Sequence, residues 1–273
     1  MTLRGIVMPV FWSCLLGCAW SGVSAQGPKP SPGAPPKVLL LVQQQMLPGK
    51  AAERQRLEVE TSRRFDEFNV PITWIELEAV TGPPRALFFD PASSLEELDR
   101  AGAMLANVFS ARPELAQQQQ QIEERLASSR TVVAVRRDEL SFGAERIDLT
   151  KARYLRITVV SLRPGRERDF AEAETRRRAG ADSARAVYEV NAGLEQPTFL
   201  IVESLRSLQD VDKGLEIQRK EEQGLEAGDR KRIDEILREA YVSIESNLYA
   251  IHPEMSHVSK EFAAGDPGYW IQK

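Results

Sequence analysis

Apolar and polar residues in the first half of the chain follow the two periods that separate strands from helices. Short apolar or alternating runs ending at Pro or Gly turns predict strands at 38–45, 72–80, 86–89 and 131–136. One-turn spacing predicts a helix over 50–68, with Leu57, Thr61, Phe65 and Phe68 on its buried face. Further helices are predicted at 95–109, after a Ser–Glu capping signal, and at 113–126. The predicted order is β-α-β-β-α-β with an extra helix before the last strand.

The second half of the chain is predicted to repeat this order. Strands are expected at 154–162, 186–192, 199–202 and 248–251, with a helix after the first of them. The clearest amphipathic helix is predicted before the last strand, because apolar residues recur there at spacings of three and four. These residues are Ile233, Ile236, Leu237, Ala240, Tyr241 and Ile244. Each half therefore carries one complete set of elements.

The two halves also resemble each other residue by residue. The run 196–212, shifted back by 113 residues, falls on 83–99, and Pro, Leu, Ser, Leu and Asp recur at equivalent places. A Pro-Gly turn after the first strand of each half recurs at an offset of 116. We interpret this as a duplication of a ferredoxin-like unit, with repeats at 37–142 and 153–256 joined by a linker at 143–152.

Several predicted strands are apolar on both faces, at 39–42, 87–89 and 199–202. Helices can cover only one face of each sheet, so the other face has to be buried elsewhere. The economical packing places the two open faces together. We therefore predict an α+β fold in which two antiparallel sheets face each other in a single-chain barrel of eight strands or a sandwich. Two independent ferredoxin-like domains on a flexible linker are the alternative.

The N-terminal segment, residues 1–25, has the pattern of an export signal, with a positive start, an apolar run and small residues before a cleavage site. Cleavage after Ala25 is favoured, and a lipobox-like Leu-Leu-Gly-Cys sequence leaves lipid anchoring at Cys18 as the alternative. Residues 26–36 are rich in Pro and Gly and are predicted to form an extended linker. A periplasmic or secreted location is expected, with or without a lipid anchor.

Charge and cysteine content exclude several classes of partner. The formal charge of -4 is spread over 36 basic and 40 acidic residues without a long block of one sign, which argues against nucleic acid. The apolar run near the N-terminus is too short for a membrane span. Both cysteines, Cys14 and Cys18, lie within the export signal, so the mature protein is expected to have no disulfide and no thiolate metal site.

The order of elements, the repeat and the size resemble the dimeric α+β-barrel superfamily, which includes antibiotic-biosynthesis-type monooxygenases and NIPSNAP-like proteins. The resemblance covers about residues 37 to 253 and rests on topology. It implies a site between helices and sheet for a small apolar ligand, haem or a reactive phenol. Haem-using members carry a histidine on a helix, whereas the only histidines here, His252 and His257, lie at or after the last predicted strand. We therefore expect no cofactor.

Three residues are candidates for acid–base chemistry. Glu76 and Glu189 occupy equivalent strand positions and are predicted to face each other across the barrel, although exposed carboxylates at a sheet edge have the same pattern. His252 stands where the first half has Arg136, so the imidazole is specific to the second half. His252, His257, Glu254 and Asp266 match no compact ligand motif, and no metal site is predicted.

Aromatic residues supply the candidates for ligand binding. Trp74 beside Glu76 is expected to line a pocket, and Tyr188 and Tyr249 are expected to offer phenolic donors to a ligand, with Arg136 nearby. Aromatic residues in strands also serve simply as core. The aromatic tail, 257–273, is predicted to dock on the body or on a partner subunit, with a loose terminus as the alternative.

Two functional hypotheses follow from these patterns. The first is an exported protein of the bacterial cell envelope that binds a small, largely apolar ligand, or a partner, through the fused barrel. The second is a cofactor-independent monooxygenase or isomerase that uses Glu76, Glu189 and His252. We expect a monomer, because a fused chain already pairs the two halves that separate subunits of such barrels would pair.

Overall fold

The computed structural model describes residues 31–178 and 183–271. Within them eight strands form: β1 Val38–Met46, β2 Ile75–Ala79, β3 Arg85–Ala92, β4 Leu126–Arg136, β5 Tyr154–Leu162, β6 Ala186–Ala192, β7 Thr198–Leu205 and β8 Tyr241–Ile251. The helices are α1 Ala51–Glu67, α2 Leu95–Ala111, α3 Pro113–Glu123, α4 Glu167–Arg178, α5 Gln209–Gly224, α6 Ala227–Ala240, α7 Lys260–Ala263 and α8 Pro267–Trp270. The proposed export signal, the first part of the Pro-rich linker and the last two residues lie outside the described residues.

The eight strands form one closed antiparallel barrel in the order β1-β3-β2-β8-β5-β7-β6-β4. Strands from the two halves are directly hydrogen-bonded, since β2 pairs with β8 and β4 pairs with β6. The α+β class and the eight-stranded barrel are therefore confirmed. Two independent domains on a flexible linker are excluded, because the strand pairs that close the barrel join the halves.

The barrel interior is filled by apolar side chains. Alternation along each strand sends every second residue inward. Each half contributes to this single core, as the inward-facing strand residues show: Leu39, Leu41, Ile75, Leu77, Leu87, Phe89, Val132, Ala134, Leu155, Ile157, Ala186, Tyr188, Val190, Leu200, Val202, Tyr249 and Ile251. The core thus lies between the two sheet halves, as the apolar pattern on both strand faces predicted.

The aromatic tail closes the end of the barrel at which β8 ends. Trp270 is buried, and its indole Nε1 donates a hydrogen bond to the carbonyl oxygen of Thr150 at 2.6 Å. The Tyr269 hydroxyl donates to the carbonyl oxygen of Ile251 at 2.8 Å, and Asp266 pairs with Arg153. The described part of the tail therefore docks on the body of its own chain.

Local signals explain where several elements begin. Ser94 Oγ accepts a hydrogen bond from the backbone N–H of Glu97 at 3.2 Å, while the Glu97 carboxylate accepts from the backbone N–H of Ser93 at 2.7 Å. This reciprocal pair is the predicted capping box, and it starts α2. None of the helices in the described part of the chain is long and apolar enough to span a bilayer.

The predicted boundary between the last helix and the last strand is wrong. The amphipathic stripe placed Tyr241 and Ile244 on the helix, but α6 ends at Ala240 and both residues belong to β8. β8 pairs with β5 along its whole length, from Tyr241 opposite Leu162 onward. Similarly, β4 begins at Leu126 rather than at residue 131. Sheet pairing overrides the helical spacing of apolar residues in these segments.

Candidate functional site

Helix α1 covers the outer face of the barrel with polar side chains. The buried residues of this helix are Arg54, Glu58, Ser62 and Phe65. The predicted apolar stripe is therefore only partly correct, because Leu57, Thr61 and Phe68 are just half-buried. A helix that buries an arginine and a glutamate one turn apart has to pair them, since unpaired buried charges are very costly.

Arg54 is the centre of a buried ion cluster. Its Nη2 atom lies 3.2 Å from Glu58 Oε1 on the same helix and 2.7 Å from Glu76 Oε1 on β2. Its Nε donates a hydrogen bond to Gln44 Oε1 on β1 at 2.9 Å. Ile75 and Leu77 point into the barrel, so Glu76 between them points outward beneath α1. The side chains of Arg54 and Glu76 are 0% exposed.

Burial changes the proton affinity of both carboxyl groups in this cluster. Desolvation raises the pKa of Glu58 to about 7, with attraction to Arg54 acting in the opposite direction. Desolvation also raises the pKa of Glu76 well above its ordinary value, again opposed by Arg54. The nearby carboxylates raise the pKa of Arg54 although its burial acts to lower it. Within the cluster, Glu58 therefore takes up a proton near neutral pH, and the pKa of Glu76 is shifted in the same direction.

A chain of polar contacts connects this cluster to the surface. Glu78, two residues after Glu76, lies 3.9 Å from Arg54 Nη1 and accepts a hydrogen bond from Gln55 Nε2 at 2.8 Å. The Nε2 atom of His252 lies 3.5 Å from Glu78 Oε2, and its Nδ1 lies 2.9 Å from Glu254 Oε1. The imidazole thus stands between the interior cluster and solvent.

An open groove of about 840 Å³ lies directly outside this chain of contacts. It runs between α1 and the turn after β8, and it is lined by Ala52, Gln55, Arg56, Val59, Glu60, Arg63, His252, Glu254 and Met255. Ala52, Val59 and Met255 supply the apolar surface. Arg56 and Arg63 are exposed, and no ion pair of either is found in the described part of the chain. The groove therefore combines an apolar floor with two available cations.

The turn beside the groove is held by Trp74 and His257. The Trp74 indole Nε1 donates to the carbonyl oxygen of Met255 at 2.8 Å, and the rings of Trp74 and His257 lie 5.1 Å apart. His257 Nδ1 contacts Asp66 Oδ1 at 2.6 Å, and its Nε2 contacts the Val70 carbonyl oxygen at 2.8 Å. Trp74 therefore supports the groove from behind, although it does not line it.

The structure brings together two of the three acid–base candidates. The backbone N–H of His252 donates to the carbonyl oxygen of Glu76 at 2.9 Å, and their side chains are connected through Glu78 and Arg54. Glu189 lies elsewhere: it points outward from β6 and pairs with Arg137. The prediction that Glu76 and Glu189 face each other across the barrel is wrong, because the inward positions belong to their apolar neighbours.

The predicted ligand-binding tyrosines belong to the barrel core. Tyr188 is buried, and its hydroxyl donates to the carbonyl oxygen of Pro36 at 3.1 Å. Burial raises the pKa of Tyr188 and that of Tyr249. Arg136 donates to the carbonyl oxygen of Pro35 and pairs with Asp138 at 2.6 Å. None of these three residues lines the groove. His257 and Asp266 likewise bind different partners, Asp66 and Arg153.

Sequence reasoning missed the residues that define this site. Arg54, Glu58 and Gln44 were not singled out, because a hydrophobicity pattern treats a charged residue in a helix as exposed. One available signal was the Arg54–Glu58 pair, whose spacing of four places both on one helix face. A second was the pair of glutamates on β2, of which only Glu76 was considered.

Comparisons with known proteins show the fold of this chain. No family model matches the sequence, and no curated protein matches it. Among solved structures, an anthrone oxidase-like protein superposes with a TM-score of 0.53 at 16% identity, covering 79% of this chain and 91% of the other. A protein named "Putative monooxygenase" from Fusobacterium nucleatum superposes with a TM-score of 0.50 at 8% identity, covering 78% and 91%. These likenesses confirm the eight-stranded α+β-barrel fold and show nothing about activity.

Proposed function

We propose that the protein binds a small, largely apolar molecule with an acidic group in the groove beside α1. The observation that carries this proposal is the pairing of an apolar floor, Ala52, Val59 and Met255, with two exposed arginines that have no carboxylate partner among the described residues. Because the barrel interior is filled by its own side chains, the ligand site is assigned to the outer face. The apolar body would lie on the floor, and the acid would be held by Arg56 and Arg63.

Reversing both charges is expected to weaken binding of an amphipathic anion. With anilinonaphthalene sulfonate as the probe, the double variant Arg56→Glu/Arg63→Glu should raise the dissociation constant by about tenfold or more, measured by fluorescence titration. The matched control is Arg100→Glu/Arg130→Glu, which changes the net charge equally at exposed arginines away from the groove. Equal loss of affinity in both double variants would show a nonspecific charge effect and contradict the assigned site.

A second candidate is a cofactor-independent monooxygenase or isomerase that uses the same groove. The observation favouring it is the buried carboxyl of Glu76 beside the groove, whose pKa is raised by desolvation, as is typical of carboxyl groups that act as acid–base catalysts. Arg54 contacts both Glu76 and Glu78, and His252 lies beside Glu78 on the groove side of the cluster. The anthrone oxidase-like and Fusobacterium nucleatum proteins share the fold, which makes oxidation of an activated C–H or phenolic compound by O₂ a reasonable reaction class.

Oxygen uptake with anthrone as the probe substrate tests this candidate directly. If Glu76 is the acid–base group, Glu76→Gln should lower kcat by about 100-fold or more and leave KM nearly unchanged. The control is Glu189→Gln on β6. This variant also removes a strand carboxylate, but that carboxylate pairs with Arg137 and lies outside the groove. Absence of oxygen uptake by the unaltered protein, or equal loss in both variants, would reject the enzymatic candidate while leaving the binding proposal intact.

We further propose that the two halves arose by duplication of a ferredoxin-like unit. In support, their strand orders are the same, β4-β1-β3-β2 and β8-β5-β7-β6. Gly49 and Gly165 both adopt positive φ, at 76° and 80°, in the turns that follow β1 and β5. A segment comprising residues 37–142 should then form a homodimeric barrel by itself. Light scattering of that segment would contradict the proposal if it gave a folded monomer.

Export to the cell envelope is also part of the proposed function. It is supported by the charge and hydrophobicity pattern of residues 1–25. N-terminal sequencing of the protein recovered from the producing bacterium should begin at Gln26 after simple cleavage. A lipid-modified Cys18 would identify a membrane-anchored form, and an intact Met1 would contradict export by this signal.

A further inference from the structure

The two arginines of the groove stand at separate positions along α1. Arg56 and Arg63 both belong to the stripe of the helix that lines the groove. Their Cα atoms are separated by about 10 Å along the helix axis, since two turns of helix lie between them. The Nε of Arg56 donates a hydrogen bond to the carbonyl oxygen of Ala52 at 3.3 Å, which directs this guanidinium away from Arg63. The two cations therefore serve opposite ends of the groove.

A carboxylate lies between the two cations. Glu60 also lines the groove, and it follows Arg56 and precedes Arg63 by about one turn each. It pairs with Arg64, and no ion pair joins it to Arg56 or Arg63 in the described part of the chain. An anion at the centre of the groove would lie beside this carboxylate, which repels it, whereas an anion at either end would meet an arginine. Glu60 therefore favours anionic groups at the two ends.

The opposite wall of the groove follows α1 over the same distance. At one end, Glu78 accepts a hydrogen bond from Gln55 Nε2 at 2.8 Å and lies 3.5 Å from His252 Nε2. At the other end, Ser62 Oγ donates a hydrogen bond to the carbonyl oxygen of Ser256 at 2.6 Å. The wall formed by residues 252–256 therefore runs beside α1 from Gln55 to Ser62. The groove is elongated along the helix, so it suits an elongated ligand.

The surface between the two arginines is apolar. Val59 lies between them on α1, and Met255 lies on the opposite wall. Hydrocarbon and thioether surface of this kind favours an apolar chain or ring. The other carboxylate of the lining, Glu254, already contacts His252 Nδ1 at 2.9 Å. Along its length the groove thus presents a cation, an apolar floor and a second cation.

We propose that the groove binds a molecule with two anionic groups joined by an apolar body, of the class of medium-chain α,ω-dicarboxylic acids. Arg56 holds one acid and Arg63 holds the other, and the apolar body covers Val59 and Met255. This inference rests on the proposed function, because it requires ligand binding in the same groove. It assigns one acid to each arginine instead of a single acid to the pair.

Calorimetric titration of the full protein with decanedioate and decanoate tests the number of acids. The two chains have equal length and differ in one carboxylate. We expect decanedioate to bind about five- to tenfold more tightly, because its second carboxylate pairs with the second arginine. Butanedioate carries the same charge as decanedioate but cannot reach both arginines, so it should bind more weakly than decanedioate.

Single substitutions test whether each arginine holds its own acid. Arg56→Gln and Arg63→Gln should each lower the affinity for decanedioate to about the wild-type affinity for decanoate. The affinity for decanoate should fall by about twofold or less, because the remaining arginine still holds its one carboxylate. The matched control is Arg100→Gln, which alters an exposed arginine outside the groove and should leave both affinities unchanged. All three residues are exposed, so the variants should fold like the wild type.

Three results would overturn the two-ended ligand and leave the proposed function standing. The first is equal affinity of the wild type for decanedioate and decanoate, and the second is equal affinity for butanedioate and decanedioate. The third is a large loss of decanoate affinity in both single variants, which would show that the two arginines hold one acid together.

Failure of the proposed function itself gives a different result. If neither acid nor anilinonaphthalene sulfonate binds the wild type, the groove is not a ligand site, and both proposals are rejected. A preference for decanedioate that disappears in Arg56→Gln and in Arg63→Gln, and persists in Arg100→Gln, supports a ligand with an acid at each end.

Discussion

Replacing Arg54 by methionine is expected to lower the free energy of unfolding by about 3–5 kcal/mol at pH 8, because it leaves two buried carboxyl groups without their cation. Glu58 and Glu76 both contact Arg54, and neither side chain is more than 4% exposed. The methionine fills much of the volume, so the loss is mainly electrostatic. Urea denaturation monitored by tryptophan fluorescence measures the effect.

The loss in Arg54→Met should become smaller as the pH falls. A carboxyl group with a raised folded-state pKa binds more protons when folded than when unfolded, so its contribution to stability increases as pH decreases. For Glu58 this change falls in the pH window between its ordinary pKa of 4.5 and its raised pKa of about 7. Without Arg54 both carboxyl groups protonate more readily, and their unfavourable charge disappears at about pH 5.

Arg63→Met on the same helix is the matched control for Arg54→Met. Arg63 is exposed, and its replacement should change stability by no more than about 0.5 kcal/mol at either pH. If Arg54→Met lowers the free energy of unfolding equally at pH 5 and pH 8, the loss cannot be assigned to unpaired carboxylates. If Arg54→Met lowers the free energy of unfolding by less than about 1 kcal/mol at pH 8, solvent reaches the buried carboxyl groups.

Replacing Trp270 by alanine is expected to lower the free energy of unfolding by about 3–5 kcal/mol, the usual cost of removing a buried tryptophan. Trp270 is 2% exposed and packs edge-on against Phe262 and Tyr269, at ring separations of 5.0 and 5.2 Å. Loss of the indole would remove the hydrogen bond from Nε1 to the carbonyl oxygen of Thr150. It would also expose the end of the barrel that the tail covers to solvent. Equilibrium unfolding in urea, monitored by circular dichroism, measures the effect.

Two further variants identify the cause of that loss. Trp270→Phe keeps an aromatic ring but removes the indole donor, so it should cost less than alanine. Ile271→Ala alters the next residue, which is 64% exposed, and should change stability very little. If Trp270→Ala costs no more than Ile271→Ala, the tail contributes nothing to barrel stability, and its docking has no role in holding the two halves together.

Strands, turns and caps were largely predictable from sequence, because they depend on interactions between near neighbours. Short apolar runs and alternating residues identified the eight strands, although β4 and β8 extend further toward their N-termini than the patterns indicated. Ser93, Ser94 and Glu97 formed the predicted capping box. Strands with apolar residues on both faces need to be covered on both faces, and this requirement led to the prediction of a barrel.

The candidate site was predictable only in part. Glu76 and His252 were identified from strand position and residue type, and the structure places them in one polar chain. Glu189 was grouped with Glu76 by its proposed repeat equivalence, but Glu76 on β2 and Glu189 on β6 lie far apart around the barrel wall. Arg54 was missed although Glu58 lies one turn away on the same helix, because its other partners, Glu76 and Gln44, lie on strands that no local pattern connects to it.

The sequence by itself determined the α+β class, the two similar halves and their common core, because the periodicity of apolar residues determines which side chains are buried. Only the tertiary structure decided which charges are buried together and which strand edges remain open. Arg54, Glu58 and Glu76 meet because α1 packs over β2, and β2 pairs with β8 only at residues 249–251. Those outcomes depend on contacts between elements distant in sequence. The chemistry of the groove arises from such contacts.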